Sequence, residues 1–284
     1  MMIVINKMHI VRNIRLMTSC CGIRQIASCG GSLHSGYKFL SSAVPSGREV
    51  DPYPTGHPDK ETIVVYGRPT TRVEKVLFML EELCLPYTRV HFESPPPAYI
   101  VDINPTKLVP AIRDGPVTIH GSNSICVYLA HKHGQQNGMF PSCSIALGLA
   151  FQWSEYTEGY LATPRLNHVY HACVNKAYPP SLAKPGCPSD KETEDNINAT
   201  AAALRILDDH IARAELQQQP FIALTTTLTF ADAVAAPWLH KWYVHAEEYG
   251  PKLSREQFPA VSRYYERLSA RASFHRGILY RAST

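Results

Sequence analysis

Between Asn104 and Tyr128 the chain reads NPTKLVPAIRDGPVTIHGSNSICVY, and its residue types come in the order that a bound peptide would need. Proline lacks a backbone N–H, and X-Pro is the one bond type that readily turns cis. Val109-Pro110, directly before a short strand, can therefore leave the N–H and C=O of Val109 free at a sheet edge. An extended ligand backbone pairs with such groups as an added strand does. Gly121-Ser122 then opens a helix whose N–H groups attract a carboxylate. The chemistry implied is capture of a peptide thiol by its backbone and its carboxylate.

Other groupings carry less. His168 and His171 stand three apart, and His131 and His133 share another helix end, but neither pair has third and fourth ligands nearby, so no metal is expected. Cys84 and Cys126 fall in apolar helical stretches and read as core thiols, away from the helix starts that activate a thiol. Trp153, Tyr156 and Tyr160 form an aromatic stripe at helical spacing, for which core packing is the default reading.

The elements that position these residues follow from periodicity. Ile63 to Tyr66 is a short buried strand ended by Gly67. From Thr71 to about Leu85, Val73, Val76, Leu77, Leu80 and Leu83 recur at helical spacing, with Glu74, Lys75, Glu81 and Glu82 expected to face out. Thr88 to Phe92 is a second strand, and Ser94-Pro-Pro-Pro-Ala starts an irregular link through a helical turn to Asn104. Ala111 to Arg113, a primed turn at Asp114-Gly115, and Val117 to Ile119 make a hairpin. The helix from Gly121-Ser122 buries Ile125, Tyr128 and Leu129 and ends at Gly134. The order βαβ-α-ββα implies one mixed four-stranded sheet.

Gln135 to Cys143 reads as a polar linker. Beyond Ser144 every pattern is helical: Ile145 to Leu166, Thr193 to Leu216, Phe230 to Glu248 and Phe258 to Leu268, with a proline-rich loop from Tyr178 to Asp190. Thr229-Phe-Ala-Asp232 is a capping box. The expected organisation is an extension over 1–60, an α/β domain over 61–134, a linker over 135–143 and an all-α domain over 144–284.

Composition narrows the function class. Apolar residues make up 45% of the 284, enough for sizeable cores. The formal charge of +4 is uneven: residues 1–60 hold seven Lys/Arg against three Asp/Glu, leaving 21 of each sign in the body. A neutral body lacks a nucleic-acid footprint, and no apolar run is long enough to span a membrane. Three of the eight cysteines precede residue 30 and no CxxC occurs, which fits a reducing compartment and excludes dithiol chemistry of that kind. The extension has no acidic residue before Glu49 and carries Lys7, Arg12, Arg15 and Arg24 among apolar residues. It has the composition of a transit peptide or of a disordered tail, and Asp51 to Pro58 reads as an extended linker. The location expected is cytoplasmic, or mitochondrial if 1–60 is a transit peptide.

Several segments together resemble the soluble glutathione S-transferase superfamily. They are Tyr66-Gly67 with Thr71 to Leu83 (TRVEKVLFMLEEL), Asn104-Pro105 with Leu108-Val109-Pro110, Ser122 to Ile125 with Tyr128-Leu129, and Phe258 to Val261 through Leu268. The spacing after Thr71 is closest to serine- or threonine-using bacterial and fungal members. The resemblance implies a thioredoxin-like N-terminal domain, a helical-bundle C-terminal domain and a homodimer. It implies conjugation of glutathione, as co-substrate and with no other cofactor, to small apolar electrophiles for detoxification. Val109 and Pro110 would pair with the cysteinyl unit and Ser122 would hold the γ-glutamyl carboxylate. Thr71 would stabilise the thiolate, with Tyr66 the alternative and Arg72 adding positive potential. Trp153, Tyr156 and Tyr160 would line the electrophile cleft.

The chain departs from that pattern at two contacts. Gly121 stands where an acidic residue often binds the γ-glutamyl ammonium, and Leu108 where a glutamine or lysine often lies. Each lost charged hydrogen bond costs about 1.5–3 kcal/mol unless Lys107, His120 or Asn123 substitutes. Two further functions therefore stay open: a non-catalytic binding or scaffold protein of the same family, and a glutathione-dependent isomerase or dehalogenase.

Overall fold

The computed structural model describes residues 62–68, 70–91, 97–175 and 190–279. The expected extension, the Ser94 proline link and the loop before Asp190 lie outside them. Four strands form one sheet: β1 (Ile63–Tyr66), β2 (Tyr87–Val90), β3 (Ala111–Asp114) and β4 (Val117–His120), in the order β2-β1-β3-β4. β1 and β2 run parallel, as a helical crossover requires, and the other neighbours are antiparallel. Side chains alternate along β1. Ile63 and Val65 enter the main core with helices α1 (Val73–Glu82) and α3 (Ser122–His133), while Val64 and Tyr66 join Ile100 and Ile103 of α2 (Ile100–Ile103) on the other face.

The hairpin turn is shifted by one residue from expectation. Asp114 pairs with Val117, so Gly115-Pro116 forms the two-residue loop. Gly115 has φ 58°, whereas the proline ring holds Pro116 near about −65°. Positive φ at the first loop residue only is the type II′ pattern, and the type I′ turn expected at Asp114-Gly115 would push Pro116 into the strand. Asp114, freed from the turn, pairs with Lys132 at 2.6 Å and accepts from the Tyr128 hydroxyl at 2.8 Å, tying the hairpin to the far end of α3.

Helix α1 is buried on nearly every side rather than on one stripe. Lys75 is 1% exposed, and Glu81 is buried also. These residues, expected in solvent, face the C-terminal region. Arg271 grips both oxygens of Glu82 at 2.5 and 2.7 Å, and Arg276 pairs with Glu81 at 2.5 Å. Two segments cause this: His275–Leu279 lies across α1 and meets its Glu81 end, while Glu158 and the start of α3 enclose Lys75. Cys84 is also corrected. The helix ends at Glu82, and Cys84 follows in a left-handed turn (φ 52°) with its side chain exposed.

The rest is helical: α4 (Ser144–Glu155), α5 (Asn167–Tyr170), α6 (Asp190–Leu216), α7 (Phe230–Val244), α8 (Pro259–Ser269) and α9 (Ala272–Phe274). The long helix expected from Ile145 to Leu166 widens into π-type turns from Tyr156 and breaks at Thr163, which is extended (φ −121°, ψ 123°). Pro164 explains the break, because a proline disfavours helical backbone in the residue before it. The stretch expected as a polar linker is packed. Met139 is buried, its carbonyl accepts from Phe230 N–H at 3.0 Å, and Phe140 stacks on Phe230.

Helix α7 is apolar all round and lies at the centre, touching α1, α3, α4 and α8. Its capping box is present. Asp232 takes the Thr229 N–H at 2.7 Å and hydroxyl at 2.8 Å, the Ile222 N–H at 3.0 Å and the Tyr264 hydroxyl at 2.5 Å. Burial raises the pKa of Asp232, and these four donors hold it back.

Gly277 allows the C-terminal segment to reach α1. A Cβ there would lie 2.7 Å from the backbone N and Cα of Phe78. Backbone cannot swing aside, so Gly277→Ala is expected to lower stability by about 1–3 kcal/mol. Denaturant unfolding measures this, and an unchanged midpoint would contradict the contact.

Candidate functional site

Sheet register brings the sequence-predicted residues to one end of the molecule. Tyr66, the last residue of β1, is opposite Ala111, the first of β3, and Ala111 is opposite His120, the last of β4. The loop to Thr71, the Val109-Pro110 step and the Gly121-Ser122 helix start therefore all leave the sheet at the same end of its strands, and Val109 precedes an interior strand rather than the edge strand expected. Pro110 is bonded directly to the last of these, its carbonyl accepting from Gly121 N–H at 3.3 Å.

Val109-Pro110 is a cis peptide bond. Among the described residues, Val109 makes no backbone hydrogen bond through its N–H or C=O. The turn before it is held by Asn104, whose side chain donates to the Leu108 carbonyl at 2.7 Å and accepts from Thr106 N–H at 3.0 Å. This asparagine sits 2% exposed, which accounts for the Asn-Pro signature. Leu108 is 62% exposed and Lys107 is exposed in a left-handed conformation (φ 57°). Gly121 has φ 86° and offers backbone only.

Thr71 stands two residues before α1, half-buried. Its hydroxyl donates to the Arg68 carbonyl at 2.7 Å and accepts from Val73 N–H at 3.4 Å. Tyr66, its alternative, is fully buried among Ile100, Ile103 and Ala111 on the α2 face of the sheet.

Three groups that the sequence did not single out join these segments. The Lys75 ammonium reaches Asn123 Oδ1 at 3.1 Å and Ser122 Oγ at 3.5 Å, and makes a short ion pair with Glu158 from the π-type segment. Glu158 also binds Arg72 Nε at 2.8 Å and the indole N–H of Trp238 at 3.2 Å. Arg72 spans the same gap a second time, donating to Thr163 Oγ1 at 2.9 Å. Burial lowers the pKa of Lys75, with Glu158 opposing. Burial would raise Glu158, but Lys75 and Arg72 outweigh it and the net shift is downward. The usable signal for Lys75 was its place beside Val76 on a helix with too few polar residues for two wet faces. Glu158 and Trp238 gave none, since only the fold brings them together.

The aromatic stripe divides. Trp153 is 5% exposed, stacked on His210 with ring centres 4.0 Å apart, and Tyr156 donates to the Ala203 carbonyl at 3.0 Å. Both face α6 and the helical core. Tyr160 is 45% exposed, with the Arg165 guanidinium 3.8 Å from its ring centre. Cys126 is buried, its thiol pushed up to about 12 by desolvation, so it is inert. Among the described residues no three His, Cys, Asp or Glu side chains converge as a metal site, and no helix is long and apolar enough to cross a membrane.

The pair gives a stability signature in acid. Removing one partner of a buried pair strands the other, so Glu158→Gln is expected to cost about 3 kcal/mol at neutral pH. Because the pKa of Glu158 is lower in the folded state, its contribution is complete above its ordinary value of 4.5 and is lost as pH falls through the folded value. The stability gap between wild type and Glu158→Gln should therefore close below pH 4.5. A gap constant from pH 7 to pH 3 in urea titrations would refute the ionised pair.

Two family models match this chain: the glutathione S-transferase N-terminal domain over residues 71–132 and the C-terminal domain over residues 171–272. The glutathione S-transferase GstB of Escherichia coli K12 is 40% identical over 81 residues, which are 26% of this chain and 39% of that protein. The chain thus matches about two fifths of the length of this curated relative. A glutathione transferase family member from Pseudomonas fluorescens, solved with two glutathione bound, is 26% identical, covering 78% of this chain and 94% of that one, at a TM-score of 0.63. Poplar glutathione transferase F1 has the same fold at 22% identity and a TM-score of 0.62, covering 77% of this chain and 97% of its own. With both domain models matched in order on a four-stranded mixed sheet and a helical region, the chain belongs to the cytosolic-type glutathione transferase superfamily.

Proposed function

We propose that the protein is a glutathione S-transferase that joins the sulfur of glutathione to an electrophilic carbon. The observation that carries this is the register that sets Tyr66, Ala111 and His120 at one end of the strands, from which the segments bearing Thr71, Val109 and Ser122 leave. The Pseudomonas structure, with glutathione bound, supports the same ligand here. In this reading the free backbone groups of Val109 pair with the cysteinyl unit, and the α3 start takes the γ-glutamyl carboxylate. Lys75 contributes from below: its ammonium, 3.5 Å from Ser122 Oγ, orients that hydroxyl and adds positive potential where Leu108 and Gly121 add none.

The chemical step is a displacement. The thiol proton leaves to solvent, the thiolate forms the C–S bond and the leaving group departs with its electron pair. Thr71 is assigned the donor role on the sulfur, since its hydroxyl lies at the cleft edge while Tyr66 lies under α2. To donate there it must turn from the Arg68 carbonyl, an exchange of one hydrogen bond for a charge-assisted one. A homodimer belongs to the same proposal. It is supported by the groove between α3 and α4, where Ile119, Val127, Tyr128 and the 41% exposed Phe151 lie among polar residues that include Asn123, His131 and Glu155.

The second reading is a family member that binds glutathione without catalysis, and the exposed Leu108 and side-chain-free Gly121 favour it. Retention on glutathione-agarose and conjugation of 1-chloro-2,4-dinitrobenzene separate the two. Retention with turnover is expected; retention alone gives the second reading, and neither one sinks both. Thr71→Ala should lose about 10–100-fold in kcat, the worth of one hydrogen bond to a charged group, with Thr71→Ser near wild type. Full activity in Thr71→Ala with none in Tyr66→Phe would move the role to Tyr66.

A further inference from the structure

The wall of helix α7 that faces the first turn of α1 holds a lysine the reaction above does not use. Lys241 is half-buried one turn after Trp238. Its ammonium lies 4.3 Å from the ring centre of Tyr170 and 5.1 Å from that of Trp238. Among the described residues it makes no side-chain hydrogen bond and no ion pair. Apart from the backbone bonding of its helix, its carbonyl accepts from the Tyr249 hydroxyl at 3.1 Å. The nearest carboxylates are committed elsewhere or only felt at a distance. Glu158 is held by Lys75, Arg72 and the Trp238 indole, and Glu74 accepts from Thr70 N–H at 2.9 Å.

An ammonium packed against two aromatic faces without a counter-ion is costly to bury, and its neighbours show that cost. Burial lowers its pKa, Arg72 lowers it further, and Glu74 opposes from a distance. The cation–π contacts offset part of the loss. An anion arriving in the cleft would offset the rest. The location is also right for a co-substrate. Trp238 touches Glu158 and so the Arg72 side of α1, next to Thr71, and Arg72 is 43% exposed at the rim.

We infer that Lys241, between Tyr170 and Trp238, is the anion-recognition residue of the electrophile cleft, and that the preferred co-substrate is an aromatic electrophile carrying a carboxylate rather than a wholly apolar one. The ring of such a compound packs beside the half-buried Tyr170 and its carboxylate meets the ammonium, which the buried Trp238 backs, with Arg72 as a second positive group at the mouth. This rests on the transferase reading for its chemical step and not for its binding step.

The test compares 4-chloro-3-nitrobenzoate with 4-chloro-3-nitrobenzamide. Both react by attack of the glutathione thiolate on the ring carbon bearing chlorine, forming C–S, breaking C–Cl and releasing chloride. Because the two rings differ in intrinsic reactivity, the readout is the ratio of kcat/KM for benzoate over benzamide in each variant, relative to wild type. Lys241→Met should lower that ratio at least tenfold, and Lys241→Arg should restore most of it. An unchanged ratio in folded Lys241→Met would overturn the inference. Calorimetric titration of both compounds without glutathione forms a second arm. Benzoate should bind wild type at least tenfold tighter than benzamide does, and that preference should vanish in Lys241→Met. Loss of turnover in wild type with this preference intact removes the transferase reading alone. Equal binding of both compounds to wild type removes the anion site alone.

Discussion

One buried charge sets the geometry of the candidate site. Lys75 is 1% exposed, and an ammonium taken that far from water loses several kcal/mol of solvation unless fixed partners replace it. Three separate parts of the chain meet there: α1 supplies the lysine, α3 supplies Ser122 and Asn123, and the π-type segment supplies Glu158. None of these can drift by an ångström without stranding the ammonium. Such a pair is weak evidence for net stability, since apolar side chains of the same volume would do as well or better. Its value is in specifying position. It holds the α3 start against α1 and holds the helical region against both.

The same logic explains why α1 differs from an ordinary surface helix. A sheet covers one side, α3 and α7 cover a second, and His275–Leu279 covers a third. Its polar residues then have to find partners inside. Lys75 finds Glu158, Glu81 finds Arg276 and the Tyr87 hydroxyl, and Glu82 finds Arg271. Each of these bonds joins α1 to residues at least five positions away in sequence, and most join it to the helical region. Domain packing is therefore written in charged groups at the edge and in Phe78 against Phe274 at the centre.

The sequence was legible where a local rule decides the structure. A short apolar run ended by Gly67 defined β1, the Val-Pro step marked the start of β3, and Thr229 to Asp232 announced the start of α7, all of which the structure contains; the edge expected at Val109 is instead the end of an interior strand. It was misread where long-range packing overrides the local pattern. Periodicity gave α1 one wet face because nothing in Thr71 to Leu85 reports that residues two hundred positions later will lie over it. Asp114-Gly115 is a good turn pair in isolation, and only the ring of Pro116 moves the loop on by one. Gln135 to Cys143 looked polar by count, yet Met139 and Phe140 anchor it to Phe230. In the aromatic stripe, Trp153 and Tyr156 follow the default reading as core packing, both rings turning towards α6. No spacing rule could have related Trp238 and Lys241 to Arg72, since that relation exists only after α7 crosses α1.

The distribution of charge bears on what chemistry the cleft can favour. On the proposed reading, glutathione is recognised through backbone groups at Val109 and Ser122, and positive potential comes from Lys75 under the floor and Arg72 at the rim rather than from side chains that grip the ligand. A reaction between a thiolate and a carboxylate-bearing electrophile brings two negative charges close together. At about 4 Å and an effective dielectric of about 20 that repulsion is about 4 kcal/mol, enough to slow the reaction by several hundredfold or more. A cleft with cations on one wall only would leave most of it in place. On the inference drawn above, Lys241 on the α7 side adds a positive charge apart from Arg72, whose own charge is shared with Glu158, so the two anions need not share one cation. Lys241, which makes no ion pair among the described residues and feels Glu74 only electrostatically, would then be the half of the arrangement that the second substrate completes.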